Sequence, residues 1–157
     1  MLFYVLIALV VGIDQWVKYY VRTNMDLYES YPLIEGVINM TSHRNPGAAF
    51  GILAGQQWFF LLSMLAVIVV VFYYRRKGEL IGRPVMATGL ALLVAGAIGN
   101  GIDRMVFREV TDFFDLQFVN FAIFNVADIA INVAVGLMVL SALFEGRNVK
   151  EGQQEES

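Results

Sequence analysis

Residues 84–104 read PVMATGLALLVAGAIGNGIDR, an uncharged apolar run over 84–102 that ends in Asp103 and Arg104. At about 1.5 Å per helical residue, such a run crosses a hydrocarbon core roughly 30 Å thick. Gly96 and Gly99, with Ala95 and Ala97, give it a small-residue face on which a second membrane helix packs closely. Three further runs of this kind lie at 2–21, 58–74 and 122–144, in a chain of 157 residues that is 58% hydrophobic and 16% charged. The sequence therefore predicts a mainly α membrane protein, a four-transmembrane-helix bundle forming a single membrane domain over 1–157. The first run has no basic flank before it and contains Asp14 and Lys18, so it is expected to be a retained helix and not a signal peptide.

Composition removes several chemistries. Without cysteine there is no disulfide, thiol nucleophile or iron–sulfur cluster, and one histidine does not make a histidine-rich metal site. No metal or cofactor is expected. Fourteen acids against eleven bases, a net charge of −3, leave no basic patch for nucleic acid.

Orientation follows from the cations in the short loops. Arg75, Arg76, Lys77 and Arg83 crowd the nine-residue connection between the second and third runs, whereas 22–57 holds only Arg22 and Arg44. The dense connection is expected to face the cytoplasm, with both termini and a solvated, irregular tail at 145–157. The segment 22–57 and the loop 103–121 then emerge on the outer face. Alternation in Val37-Ile38-Asn39-Met40-Thr41, bounded by Glu35-Gly36 and the turn Asn45-Pro46-Gly47, predicts a small β-sheet on that outer face.

An ionisable group within a span costs roughly 2.5–3.5 kcal/mol at the bilayer centre, so the polar residues of such a chain need partners or tasks. Five clusters stand out. Asp14 and Lys18 share a helix face at i, i+4, either as an ion pair with Lys18 reaching outward or with Asp14 bracing an active region. Asn45-Pro46-Gly47-Ala48-Ala49-Phe50 is either a plain turn or the wall of a peptide site, Asn45 presenting its amide beside small residues. Asn100 and Arg104 fall on one face at i, i+4, able to hold a carboxylate in place. Val110-Thr111-Asp112-Phe113-Phe114-Asp115 is read as a loop with two acids among aromatics. In Phe124-Asn125-Val126-Ala127-Asp128 the spacing also suits a helix cap, Asn125 at the N-cap and Asp128 three residues on.

Two aspartates in a partly desolvated pocket share a proton, one ionised and the other raised in pKa. That pair suits an aspartic protease: the carboxylate takes a proton from water, and the neutral partner hydrogen-bonds the peptide carbonyl. Asp112 and Asp128 border one outer loop and fit these roles, with Asp128 the easier to ionise at its helix N-terminus. Spacing alone leaves Asp103 and Asp115 as rival partners. Ser42, Ser63 and Ser141 lack a nucleophile-elbow setting, and His43 forms no evident triad with them. A proton-coupled carrier is the other class that intramembrane acids suggest, but the acids gather at one face and four spans are few.

These motifs together resemble the lipoprotein signal peptidase (signal peptidase II) family of bacterial membrane aspartic peptidases. The resemblance runs in order through Asp14-Gln15 and Lys18, Asn45-Pro46-Gly47-Ala48-Ala49-Phe50, Gly99-Asn100 with Asp103-Arg104, Val110-Thr111-Asp112-Phe113, and Phe124-Asn125-Val126-Ala127-Asp128. It implies Asp112 and Asp128 as catalytic residues, supported by Asp14, Lys18, Asn45, Gly47, Asn100, Arg104, Asn125 and Ala127. It further implies a diacylglyceryl-modified prolipoprotein substrate, cleaved just before the lipidated Cys at a site open to membrane lipid near the outer face. Inhibition by globomycin-type cyclic peptides, and a multi-pass monomer in the bacterial cytoplasmic membrane, complete the expectation. Phe50, Phe113, Phe114 and Phe124 are expected to flank the lipid-facing opening.

Overall fold

In a bilayer every backbone N–H and C=O must find a partner within its own segment, and each apolar run does so as a helix. The computed structural model describes residues 1–155. In chain order it contains α1 (Leu2–Asn24), β1 (Ser30–Ile34), β2 (Ile38–Asn45), a 3₁₀ turn (Ala49–Gly51), α2 (Gln57–Arg76), α3 (Pro84–Phe107), β3 (Val110–Leu116) and α4 (Val126–Glu155). Four helices are long and apolar enough to span a membrane, the fourth over Val126–Phe144. Pro84 opens α3 at a position where its missing N–H costs nothing, and α3 closes on Arg108 in the left-handed conformation (φ 63°).

Helix α3 is the central element, packed against α1, α2 and α4. Its glycines make this possible. A Cβ on Gly96 would lie 2.5 Å from the Ala127 carbonyl oxygen and 2.6 Å from Ile131 Cγ1, and one on Gly99 would lie 2.6 Å from an Asp14 carboxylate oxygen. Phe3, Val71, Ala91 and Val94 form an apolar core among α1, α2 and α3, and Val21, Met25 and Phe113 form a second beneath the sheet. Between them the bundle is polar.

The sheet is three-stranded and antiparallel in the order β1-β2-β3. β1 and β2 form a hairpin, Gly36 supplying the positive φ of the turn. β3 arrives from the far side of two helices and pairs His43 with Asp112 and Asn45 with Val110, after a register shift between Met40 and His43. Because α1 and α3 end where α2 and α4 begin, the sheet lies at one end of the bundle. The basic connection 77–83 lies at the other.

Several boundaries differ from the sequence expectation. The fourth helix starts at Val126 and not near residue 122, because Phe124 is engaged in a bridge with Phe114. Residues 110–116, read as a loop, are a strand. Arg104, expected in the loop 103–121, lies within α3, which continues to Phe107. The tail expected to be irregular is helical as far as Glu155, since each added residue brings a hydrogen bond without a new nucleation step; its last two residues lie outside those described.

Gly96→Val is expected to lower stability by about 1–3 kcal/mol, because the side chain must push α3 from α4. Thermal unfolding in detergent checks it. Gly12→Ala, whose Cβ meets nothing within 4 Å, is the control and is expected to hold or raise the midpoint.

Candidate active site at the sheet end of the bundle

Asn125 immediately precedes α4 and caps it reciprocally: the Asp128 N–H donates to Asn125 Oδ1 (2.9 Å), and the Asn125 N–H donates to Asp128 Oδ2 (3.1 Å). The cap thus fixes Asp128 as well as the helix end. The free amide end of Asn125 reaches across to β3, donating from Nδ2 to Asp112 Oδ1 at 2.7 Å. Asp112 Oδ2 accepts from Asn45 Nδ2 at 3.0 Å, and Asp128 Oδ1 from Asn100 Nδ2 at 2.8 Å. Four elements, β2, β3, α3 and the start of α4, therefore hold two carboxylates through three asparagines.

Both acids line a pocket of about 260 Å³, together with Asn45, Gly47, Asn100 and Arg104. Asp112 is buried and Asp128 half-buried. Burial, and then the neighbouring Asp128 carboxylate, push the Asp112 carboxyl up to about 7, against the opposing pull of the Asn45 and Asn125 amides. A carboxyl with that value is half protonated near neutral pH.

Behind the asparagines lies a buried ionic cluster. Lys18 Nζ donates to Asn100 Oδ1 at 2.9 Å and pairs with Asp14 at 2.8 Å and Asp103 at 3.6 Å. Arg22 completes the balance at 3.1 Å from Asp103. Asp14 Oδ1 accepts the Ala127 N–H (2.9 Å), and Asp103 Oδ2 accepts the Thr111 N–H (2.9 Å), so the cluster also clamps α4 and β3 to α1 and α3. With Lys18 and Asn125 both donating to Asn100 Oδ1, its Nδ2 is left to face Asp128.

Asn45 and Gly47 shape the opposite wall. Asn45 Oδ1 accepts the Gly47 N–H in a tight side-chain turn, and its Nδ2 also reaches the Ala48 carbonyl. Gly47 has no room for a Cβ, which would lie 2.5 Å from the Ile52 carbonyl oxygen. Arg104 Nη2 donates to the Gly47 carbonyl at 2.9 Å, and the guanidinium lies 4.2 Å from the Phe60 ring centroid.

Of the residues singled out in the sequence, Asp112, Asp128, Asn45, Gly47, Asn100 and Arg104 line the pocket, while Asp14, Lys18, Asn125 and Ala127 stand behind it. Three details differ from expectation. Lys18 does not reach outward; at 1% exposure it is held inside by two carboxylates. Arg104 holds a backbone carbonyl, and Asn100 alone of that pair holds a carboxylate. The rim aromatics are Phe50 and Phe121, because Phe113 is buried against Val21 and Met25 while Phe114 and Phe124 are tied together by backbone hydrogen bonds. The rival acids stand apart: Asp103 belongs to the ionic cluster, and Asp115 accepts from Thr41 on the sheet. Ser42 Oγ accepts from Arg44, with no histidine partner. The sequence does not single out the clamping roles of Asp103, Arg22 and Gln15, whose Nε2 donates to the Gly99 carbonyl (3.0 Å) and to Asp103 Oδ1 (3.2 Å), although Asp103 stands at i+3 from Asn100 on the same helix.

Residues 6–144 match the family model for signal peptidase (SPase) II. The lipoprotein signal peptidase of Shouchella clausii (strain KSM-K16) is 45% identical over 147 residues, 94% of this chain and 96% of that protein. That of Bacillus subtilis (strain 168) is 43% identical over 155 residues, 98% of this chain and all of that protein. A bacterial membrane enzyme structure obtained by the in meso method at 2.3 Å resolution superposes with a TM-score of 0.89 at 36% identity, covering 93% of this chain and 90% of that one.

Lys18→Met leaves Asp14 and Asp103 facing one cation, and is expected to cost about 3–5 kcal/mol in unfolding free energy. The double variant Asp14→Asn/Lys18→Met restores one acid to one base and is expected to recover most of the loss, measured in the same detergent unfolding experiment.

Proposed function

Because the chain belongs to the signal peptidase II family, and is thus a membrane protease that removes signal peptides from lipoproteins, we propose that Asp112 and Asp128 are its catalytic pair. The observation that carries this reading is that these two carboxylates, alone among the acids of the sheet end, line one pocket and are bridged by one asparagine.

Asp128 is the ionised partner in this mechanism, favoured by the N-terminus of α4 and by two N–H donors. It takes a proton from the water that attacks the scissile carbonyl carbon. Asp112, protonated, hydrogen-bonds the carbonyl oxygen and passes its proton there as the tetrahedral diol forms. Asp128 then returns its proton to the departing nitrogen as the C–N bond breaks, and a diol hydroxyl returns a proton to Asp112. Water, carboxylate and acid are regenerated in balance. The asparagines keep both carboxyls aligned throughout, so no side chain has to be reoriented during the reaction.

The substrate we assign is a diacylglyceryl-modified prolipoprotein, cut before its lipidated Cys. Phe50 and Phe121, 70% and 54% exposed beside the pocket, offer apolar surface to its acyl chains and to membrane lipid. Cyclic peptides of the globomycin type are assigned to the same pocket. The cation-rich stretch 75–83 supports a cytoplasmic position for its end of the bundle and an outer position for the sheet and pocket. The same reading takes the protein as a monomer built as a single membrane domain.

Asp112→Asn and Asp128→Asn are each expected to lower turnover of a diacylglyceryl-modified prolipoprotein in vesicles by about a thousandfold or more, with folding retained. Native-level cleavage by either variant would refute the pair. Cleavage requires Asp112 protonated, so activity is expected to fall as pH rises through about 7. Stability carries the same sign. The folded-state pKa lies above the ordinary 3.8, so this contribution is complete below about pH 4 and is lost as pH rises through about 7. A pH–rate profile and pH-dependent unfolding check the two limbs.

A further inference from the structure

We propose that the end of the bundle opposite the sheet carries a binding site for the headgroup of an anionic phospholipid, formed by Arg75 and Arg76. The start of α1, the end of α2 and the following connection enclose a cleft of about 520 Å³, lined by Tyr4, Phe72, Arg75, Arg76, Leu80 and Ile81. Tyr4 lies in the first turn of one span and Arg75 and Arg76 in the last turn of another. The cleft therefore sits where acyl chains give way to headgroups.

Arginines at a span end ordinarily extend into water. Arg75 does not. Its Nε donates to the Tyr4 hydroxyl at 3.4 Å, and its guanidinium carbon lies 4.3 Å from the Phe3 ring centroid and 4.9 Å from that of Tyr4. Both rings lie on one side of it and hold it on the wall of the cleft. A guanidinium fixed this way loses little freedom on meeting a phosphodiester, whose paired oxygens match its planar fork. Arg76 lies next to it and is exposed. Over 75–83, four cations face a single acid, Glu79, so the local charge favours an anion.

The apolar part of the lining selects a lipid over a free ion. Phe72, Leu80 and Ile81, the last 84% exposed, offer surface to a glycerol backbone and the first acyl carbons. A zwitterionic lipid presents the same phosphodiester with a compensating ammonium, and the charged side chains lining the cleft are the two arginines, which repel it. Two arginines at an anionic membrane surface give roughly a thirtyfold preference for the anionic headgroup, about fivefold for each.

The test titrates the purified protein, in neutral detergent, with short-chain phosphatidylglycerol, short-chain phosphatidylcholine and inorganic phosphate, and counts bound adducts by native mass spectrometry. Phosphatidylglycerol is expected to bind roughly thirtyfold more tightly than phosphatidylcholine, with no phosphate adduct at the same concentration. Arg75→Gln/Arg76→Gln is expected to abolish that preference while prolipoprotein cleavage in phosphatidylcholine vesicles stays at the native level. Lys77→Gln, which removes a charge that lies over Tyr73 outside the cleft, is expected to keep it. Arg76→Gln alone changes an exposed side chain and is expected to lose about fivefold, which decides the matter should the double variant fail to fold. Equal binding of the two lipids, a preference that survives the arginine substitutions, or phosphate binding as well as the lipid would overturn the proposal.

Discussion

Lys18 places an ammonium group, 1% exposed, between the carboxylates of Asp14 and Asp103 and the side-chain oxygen of Asn100. An unpaired charge at that position costs several kcal/mol, so Asp14, Asp103 and Arg22 are required once Lys18 is present. Each partner then performs a second task. Asp14 receives the Ala127 N–H in the first turn of α4, Asp103 receives a β3 N–H, and Asn100 turns its amide nitrogen toward Asp128. The helix ends and the strand that carry the two pocket acids are positioned by the neutralisation of one cation.

The two layers of this site differ in chemistry for a physical reason. Amides, not cations, touch the carboxylates of Asp112 and Asp128. An ammonium in direct contact with Asp112 would hold its carboxyl well below neutrality, and no proton would remain on it. Neutral amide donors align the carboxyl with a smaller pull, and burial beside a second carboxylate then raises it to about 7. The charges that stabilise the architecture are kept one residue further back, where they set geometry without emptying the acid of its proton.

The four spans were legible because an apolar run in a bilayer has only one local solution, and the Asn125–Asp128 cap because its spacing is itself the local geometry. Asp112 and Asp128 were legible as candidates, but spacing could not separate them from Asp103 and Asp115. That separation depends on which face of α3 meets α1 and on the pairing of β3 with β2, contacts between residues far apart in the chain. For the same reason the sequence of Val110–Leu116 reads as a loop: its strand partner lies some seventy residues earlier, beyond the reach of any local pattern. Whether Lys18 reaches outward or belongs to the site stays open in the sequence, because i, i+4 spacing shows a pair and says nothing of what covers it. Phe113 was expected at the rim, and only the packing against Val21 and Met25 turns it inward.

The order of elements also bears on how the protein is made. β1 and β2 lie between the first two spans and β3 between the last two, yet all three belong to one sheet. The bond from Ala127 to Asp14 joins residues 113 apart, and that from Asn45 to Asp112 joins residues 67 apart. Two separate loops must therefore reach the same side of the membrane before either finds its partners, and the site remains incomplete until the fourth helix has begun to insert. On the mechanism proposed above, a partly inserted chain is an inactive one, and the appearance of activity in the membrane marks the moment at which the last span takes its place.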